Sequence, residues 1–393
     1  MLKHDAPFSI YRHTEDIPEA QWNSVLASQS IFLSLPYLRS LEQTLASSIK
    51  LYYILVHDSK KNPILAGVFQ LTAFTYKKGS QTNLLLKLFQ DCKNKDDSVS
   101  IHGLVCGNIF ATGKHGFAHT ETLTTRAAIE LMASAAKEIQ SQLKQKDLFS
   151  VQLFKDFTNS EIKSAHILED FKYRPFQADV TMILPIDKRW TNFDTYLQSM
   201  KAKYRTKANS AFKKAEKLSI VSLSAAQIGQ HKIQLQQLFK NVQDKSDYSY
   251  GEQYPLAFNA LKQNLGPQFL CKGAFLNDKL VGFSTAFLNN DTFEASYIGL
   301  DYEYNISHAL YERLLYGYVE DAIMHKSTLL TLGRTSELIK SAMGAIPQEM
   351  TLYIKHTSKL KNALLKPIVE AISPSDFELR TPFKATFYKS NDS

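Results

Sequence analysis

Residues 268–288, QFLCKGAFLNDKLVGFSTAFL, and residues 289–323, NNDTFEASYIGLDYEYNISHALYERLLYGYVEDAI, carry the pattern that decides the fold. QFLCKGAFL (268–276) alternates like a strand, Asn277-Asp278 supplies turn chemistry, and KLVGFSTAFL (279–288) returns as the second arm of a hairpin. After Asn289-Asn290-Asp291 the stretch TFEASYIGL reads as a third strand. A helix is expected from about Ser307, because Leu310, Leu314, Leu315, Tyr318, Val319, Ala322 and Ile323 recur at helical spacing. Beyond it lie a short apolar strand STLLTL (327–332), a Gly333-Arg334-Thr335 loop, a short helix SELIKSAMGA (336–345) and a last strand QEMTLYIKH (348–356).

The first half repeats this order with larger insertions. Strands KLYYILVHD (50–58) and ILAGVFQLTAF (64–74) flank a turn at residues 59–63, and a strand near 101–106 enters a glycine-bearing loop. A helix from about Thr124, strand LFSVQLF (148–154), helix SEIKSAHILEDF (160–171) and strand QADVTMILPI (177–186) complete it. Helices at 18–27 and 36–46 open the first half, and helices at 191–217 and 231–240 open the second. The halves share order rather than residues, so the repeat is architectural. The boundary is placed near Pro185-Ile186-Asp187, giving units 1–186 and 187–393.

Composition agrees with two globular α+β units. Of 393 residues, 44% are hydrophobic and 21% charged, enough to bury sizeable cores. The formal charge of +8 favours anionic partners such as phosphates, a nucleotide-bearing substrate, tRNA or an acidic surface. Cys92, Cys106 and Cys271 form no CxxC or Cys/His pairing, which implies neither a disulfide framework nor a metal site. The opening residues lack the apolar core of a signal peptide, and no run of ~18 apolar residues occurs, so a cytoplasmic protein is expected. Loop 75–100 carries Leu84, Leu85, Leu86, Leu88 and Phe89 beside Lys77, Lys78 and Lys87, and a peripheral membrane contact through 82–90 is one reading of it.

Three further stretches bear on family. PEAQWNSVLASQSIFLSLPYLRSLE (18–42), YLQSMKAKYRTKANSAFKKAEKL (196–218) and TLGRTSELIKSAMGA (331–345), with the duplicated element order, resemble the Fem-like branch of the GNAT acyltransferases. The resemblance implies two tandem GNAT-fold domains, each a mixed, mostly antiparallel sheet flanked by helices; the second, with shorter loops and a polar cluster where its third strand meets its helix, is expected to be the catalytic one. It implies transfer of an acyl group from a CoA or acyl-carrier thioester to an amine, on a lipid or cell-envelope precursor, with no permanently bound cofactor. Two alternatives stay open: tRNA-dependent aminoacyl transfer, and a non-catalytic binding module on the same fold.

The chemistry needs a base for the ammonium, polarisation of the carbonyl and an acid for the leaving group. Asp301, Tyr304, His308 and Tyr311 cluster where the third strand meets its helix; Asp301 or His308 is the candidate base and Tyr311 the candidate acid. GNAT members bind the donor pyrophosphate at the following helix N-terminus, usually on a Gly-x-Gly turn. Residues 301–309 here contain no glycine, so Asn305 and Ser307, with Arg334 and Thr335 of the later loop, are the candidate donor contacts. Lys203, Arg205 and Lys207 on helix 191–217, Tyr248 in an acidic-aromatic stretch, and Thr112, Lys114 and His115 in the loop with three glycines are candidate anion or acceptor contacts.

Overall fold

The computed structural model describes residues 8–27, 30–77, 98–143, 149–177, 180–245, 248–249, 253–370, 372 and 377–389. The first half contributes β1 (Phe8–Tyr11), α1 (Glu19–Leu26), α2 (Leu35–Leu45), β2 (Ile49–His57), β3 (Pro63–Lys77), β4 (Ser98–Cys106), β5 (Phe117–His119), α3 (Thr125–Gln142), β6 (Val151–Phe157) and β7 (Arg174–Gln177). The second contributes β8 (Thr181–Pro185), α4 (Ala202–Lys214), β9 (Ser219–Ser222), α5 (Lys232–Gln243), β10 (Tyr248–Ser249), β11 (Phe269–Leu276), β12 (Lys279–Asn289) and β13 (Thr292–Leu300). It continues with α6 (Asn305–His308), α7 (Leu310–Met324), β14 (Leu329–Thr331), α8 (Glu337–Ala342), β15 (Ile346–Gln348), β16 (Thr351–His356) and α9 (Lys359–Val369).

Two mixed, mostly antiparallel sheets result. One runs β1-β2-β3-β4-β6-β16-β7, with β5 and β10 also pairing β3; the other runs β15-β8-β14-β13-β12-β11-β9. Each contains one parallel pair, β4 with β6 and β13 with β14, where a helix crosses back over the sheet. The pair is central in each sheet, and β12 is buried along most of its length on both faces, as its near-continuous apolar sequence requires.

The chain divides into two units, but not at a single point. Unit 1 takes residues Met1–Asp179, Ser246–Tyr254 and Glu349–Pro374; unit 2 takes Val180–Lys245, Pro255–Gln348 and Ser375–Ser393. This differs from the contiguous division at 186/187. Of the stretch expected as one strand at 177–186, Gln177 ends β7 of the first sheet, while Thr181–Pro185 form β8, between β14 and β15 of the second. Of the stretch expected as one strand at 348–356, Gln348 ends β15 of the second sheet, while Thr351–His356 form β16, between β6 and β7 of the first. Each half therefore lends its late strand to the other half's sheet. Local alternation cannot reveal this, because β8 and β16 would bury the same faces in either sheet.

The lent strands belong to the cores they enter. Tyr353 of β16 is fully buried in unit 1, its ring edge-on to Phe157 at 5.6 Å. Met182 and Leu184 of β8 sit in the unit 2 core with Phe293, Val319 and Leu330.

Two expected helices are interrupted. The helix at 191–217 breaks at Met200 and Lys201, which are extended; Lys201 N donates to Pro382 O (2.8 Å), and Met200 bridges Phe383. Phe383 in turn packs against Trp190 and Tyr196, so tertiary pairing outweighs helical continuity there. The helix expected from Ser307 begins as the single turn α6, halts at left-handed Ala309 (φ 45°, ψ 40°) and restarts as α7.

Burying one large side chain contributes about 1.5–3 kcal/mol, so removing a lent strand removes several such contributions and exposes sheet edges. A chain cut between residues 186 and 187 is expected to aggregate as either fragment alone, and the co-expressed fragments to copurify as a folded complex. Cooperative unfolding of the monomeric 1–186 fragment alone would contradict the exchange.

Candidate functional site

The parallel ladder of unit 2 is short. β13 pairs β14 only at Thr292–Leu329, Phe293–Leu330 and Glu294–Thr331, and then β13 runs on to Leu300 beside β12 alone. β14 instead stays with β8: Leu332 N donates to Met182 O (2.8 Å) and Met182 N to Gly333 O (3.0 Å). The two parallel strands part after Glu294. In unit 1 the corresponding pair, β4 with β6, holds to the last residue of β4, Cys106 opposite Phe154. There β4 stops where the ladder stops and β6 runs on to Phe157 beside β16, whereas in unit 2 it is β13, the strand before the crossover helix, that runs on.

Side chains at the fork are polar and buried. The Glu294 carboxylate accepts a hydrogen bond from Thr331 Oγ1 and another from Asn289 Nδ2 (3.3 Å); burial nonetheless raises its pKa above the usual carboxylate range. A bulge between Ala295 and Ile298 shifts the β12 register, and Thr285 Oγ1 accepts from Tyr297 N (3.0 Å) inside it. Ser296 Oγ, on the same stretch, is buried with no hydrogen-bond partner among the described residues. Tyr318 Oη of α7 lies 3.1 Å from the carbonyl oxygens of both Thr285 and Tyr297, sharing its one proton between them.

The corner after β13 gathers most of the second-unit residues expected from sequence. Lys279 Nζ meets Asp301 Oδ2 (3.1 Å) and Tyr304 Oη (3.3 Å), and these bonds raise the Lys279 pKa. His308 Nδ1 meets Ser307 Oγ (2.8 Å). Asn305 Oδ1 accepts from Tyr311 N (3.0 Å), so a side chain already occupies this first-turn amide of α7, and Glu312 adds a negative charge there. Tyr311 spans the fork: its backbone sits in α7 and its side chain hydrogen-bonds Ser336, in the loop after β14. Burial, the larger effect, raises its pKa despite that bond, so the phenol keeps its proton.

Arg334 and Thr335 occupy that same loop. Gly333 (φ 68°), Thr335 (φ 65°) and Ser336 (φ 57°) all lie in the left-handed region, at a cost of roughly 1–2 kcal/mol for each non-glycine residue. Lys340 holds them there. Its Nζ, buried at 4% exposure, donates to Gly333 O (3.3 Å) and Arg334 O (2.7 Å). Sequence periodicity gave no signal for Lys340 or Glu294. Each stands among other polar residues, Glu337 and Ser341 beside Lys340 and Thr292 and Ser296 beside Glu294, so nothing in the local sequence singles it out.

The basic helix α4 flanks this corner, Lys207 Nζ reaching Glu312 Oε1 at 3.6 Å. Lys203 is exposed, and Arg205 donates to Met200 O (3.2 Å). The remaining candidates belong to unit 1. Tyr248 pairs with Tyr76 in the first sheet, and its side chain lies outside the described residues. Thr112, Lys114 and His115 stand in a loop folded around an internal cation. Lys155 Nζ donates to Asn108 O (3.0 Å), Ala111 O (2.7 Å) and Asp156 Oδ2 (2.5 Å), and its side chain fills the space where a Cβ on Gly107 would sit. Gly113 N donates to Asp156 Oδ2 (3.0 Å), Lys114 pairs with Glu161 (2.5 Å), and His115 Nε2 lies 3.0 Å from Thr112 O. Burial lowers the His115 pKa to about 4, leaving the ring neutral. The segment 82–90 and Cys92 lie outside the described residues; among those described, no helix is long and apolar enough to cross a membrane.

No family model matches the sequence, and no curated protein matches it. Solved structures do. FemX is 12% identical, with 88% of this chain and 96% of that chain covered and a TM-score of 0.52. A tandem GNAT protein from the clavulanic acid biosynthesis pathway, solved without AcCoA, is 11% identical, with 90% and 99% covered and a TM-score of 0.55. The chain has the tandem GNAT fold that these proteins share.

Burial pulls the Lys340 pKa down to about 7, against a smaller upward pull from Glu337. The folded protein thus binds fewer protons than the unfolded chain between pH ~7 and the ordinary lysine value near ~10.4, and stability from this site rises with pH across that window. The melting temperature of the native chain should gain on that of Lys340→Met between pH 7 and 9.5. A difference that stays flat with pH would contradict the buried neutral amine.

Proposed function

We propose that the chain is an N-acyltransferase whose acyl donor lies in the fork between β13 and β14 of unit 2. The observation that carries this reading is the divergence itself. Past Glu294 the edge of β13 that faced β14 no longer has that ladder, and an extended thioester arm could add to it as a strand would. N–H groups along that edge would then face the donor carbonyl and stabilise the oxyanion formed on attack.

Glu294, at the fork and with a raised pKa, takes the proton from the acceptor ammonium, directly or through a water. The freed amine attacks the thioester carbon, the C–N bond forms, and the C–S bond breaks as the tetrahedral intermediate collapses. Tyr311, protonated and spanning the fork, gives its proton to the leaving thiolate. Asp301, Tyr304 and His308 form the rim beside Lys279, while Asn305, Ser307, Arg334 and Thr335 contact the donor beyond its thioester. The acceptor is an amine of a lipid or cell-envelope precursor, as the Fem resemblance implies.

The α7 terminus supports a donor whose phosphates meet the side chains of Lys203, Arg205 and Lys207 rather than the helix amides. CoA or an acyl-carrier protein could bind there. Asn305 and Glu312 at that helix end also favour a second reading, in which the donor is an aminoacyl-tRNA held by the same cations.

Thermal shift and single-turnover assays with acetyl-CoA, palmitoyl-CoA, acyl-carrier protein and aminoacyl-tRNA test both readings. One donor should stabilise the protein. Glu294→Gln should keep that stabilisation and lose about 10²–10⁴ in turnover, with Tyr311→Phe losing rate in the same range. Stabilisation by no donor, or full turnover in Glu294→Gln, would count against the assignment.

A further inference from the structure

Helix α9 (Lys359–Val369) is apolar on two opposite sides. At about 100° per residue, Asn362, Leu365 and Val369 fall on one side and pack into unit 1, Leu365 and Val369 against Ile101, Val151 and Ile354. Asn362 fixes that side: its Oδ1 accepts from His356 N (2.8 Å) and its Nδ2 donates to Lys172 O (3.0 Å). The opposite side carries Leu360, Ala363, Leu364 and Pro367, all exposed, with Leu360 at 75% and Leu364 at 50%. An amphipathic helix ordinarily turns charge outward; here a second apolar stripe faces out.

The cations lie along its borders. Lys361 follows one margin of the stripe, and Lys359 and Lys366 follow the other. Glu370, just past the helix, reaches Lys366 at 3.8 Å and is the one acid in that segment. Apolar residues in the middle with long cationic chains on both flanks suit a surface that is apolar below and anionic above, since lysine stems lie along apolar surface while their ammonium groups reach outward.

We propose that α9 is a docking helix for an anionic lipid bilayer, with Leu360 and Leu364 entering the acyl boundary and Lys359, Lys361 and Lys366 meeting lipid phosphates. A second copy of the chain fits less well, because packing α9 on itself would set these lysines against their own copies. The size also decides against a protein partner. A helix of this length offers a stripe of roughly 160 Å², far below the ~800 Å² per partner of a stable protein interface. A bilayer needs no such matched area, and the net charge of +8 adds long-range attraction to it. The proposal rests on unit 1 alone and is independent of the acyl-transfer reading.

Cosedimentation of the full chain with vesicles tests it. Binding is expected to phosphatidylcholine vesicles containing about 30% phosphatidylglycerol and not to phosphatidylcholine alone, weakening as salt rises. The Lys359→Gln/Lys361→Gln/Lys366→Gln variant should lose about a hundredfold in partitioning, and the Leu360→Ser/Leu364→Ser variant at least about tenfold. Leu360, Leu364, Lys359 and Lys366 are exposed and Lys361 is half-buried at the margin, so a melting temperature close to that of the native chain is expected alongside. No sedimentation with anionic vesicles, or sedimentation that both variants retain, would overturn the proposal. So would an oligomer in solution that the leucine variant dissolves.

Discussion

The commitment of β14 to β8 shapes unit 2. Hydrogen bonds from Leu332 N to Met182 O and from Met182 N to Gly333 O carry β14 away along an antiparallel partner, while β13 stays with β12 to Leu300. The parallel ladder between β13 and β14 therefore ends at Glu294 and Thr331. β8 can do this because it is the strand lent by the chain's first half. The exchange of late strands and the fork that holds the candidate chemistry follow from one arrangement.

The two units differ where their folds are otherwise alike. In unit 1 the parallel pair holds to the end of β4, and the glycine loop that follows is closed by the Lys155–Asp156 pair. A cation already lies where that loop turns inward, and Gly107 and Gly113, both at positive φ, serve this wrapping. In unit 2 the strands diverge, a left-handed Ala309 restarts the helix, and a buried lysine holds a loop with three residues at positive φ. Backbone strain gathered at such a place is a frequent mark of a functional site.

Much of the architecture was legible in the sequence. The 268–300 hairpin and third strand follow from period-two alternation and Asn-Asp turn chemistry, and the crossover helix from the spacing of Leu310, Leu314 and Val319. What local pattern could not show was partnership. β8 and β16 read as the ends of their own halves, because alternation records which faces are buried and not which sheet buries them. The break at Met200 was hidden for a similar reason, since it depends on Phe383, far along the chain. Of the candidate site, the residues at the corner were visible as a dense run of phenols and ionisable groups. Glu294 and Lys340 were not, since each has polar neighbours in sequence and only burial in the fold sets it apart.

An acyl donor seated in the fork of unit 2 would cover the free edge of β13. Amide hydrogen exchange of the full chain, with and without a saturating non-hydrolysable acyl-donor analogue, tests it most directly. A donor in the fork should bring new protection to residues 295–300 and the adjoining loop 333–336, with residues 107–116 unchanged. Protection at 107–116 instead, or none in either segment with donor shown to be bound, would contradict it.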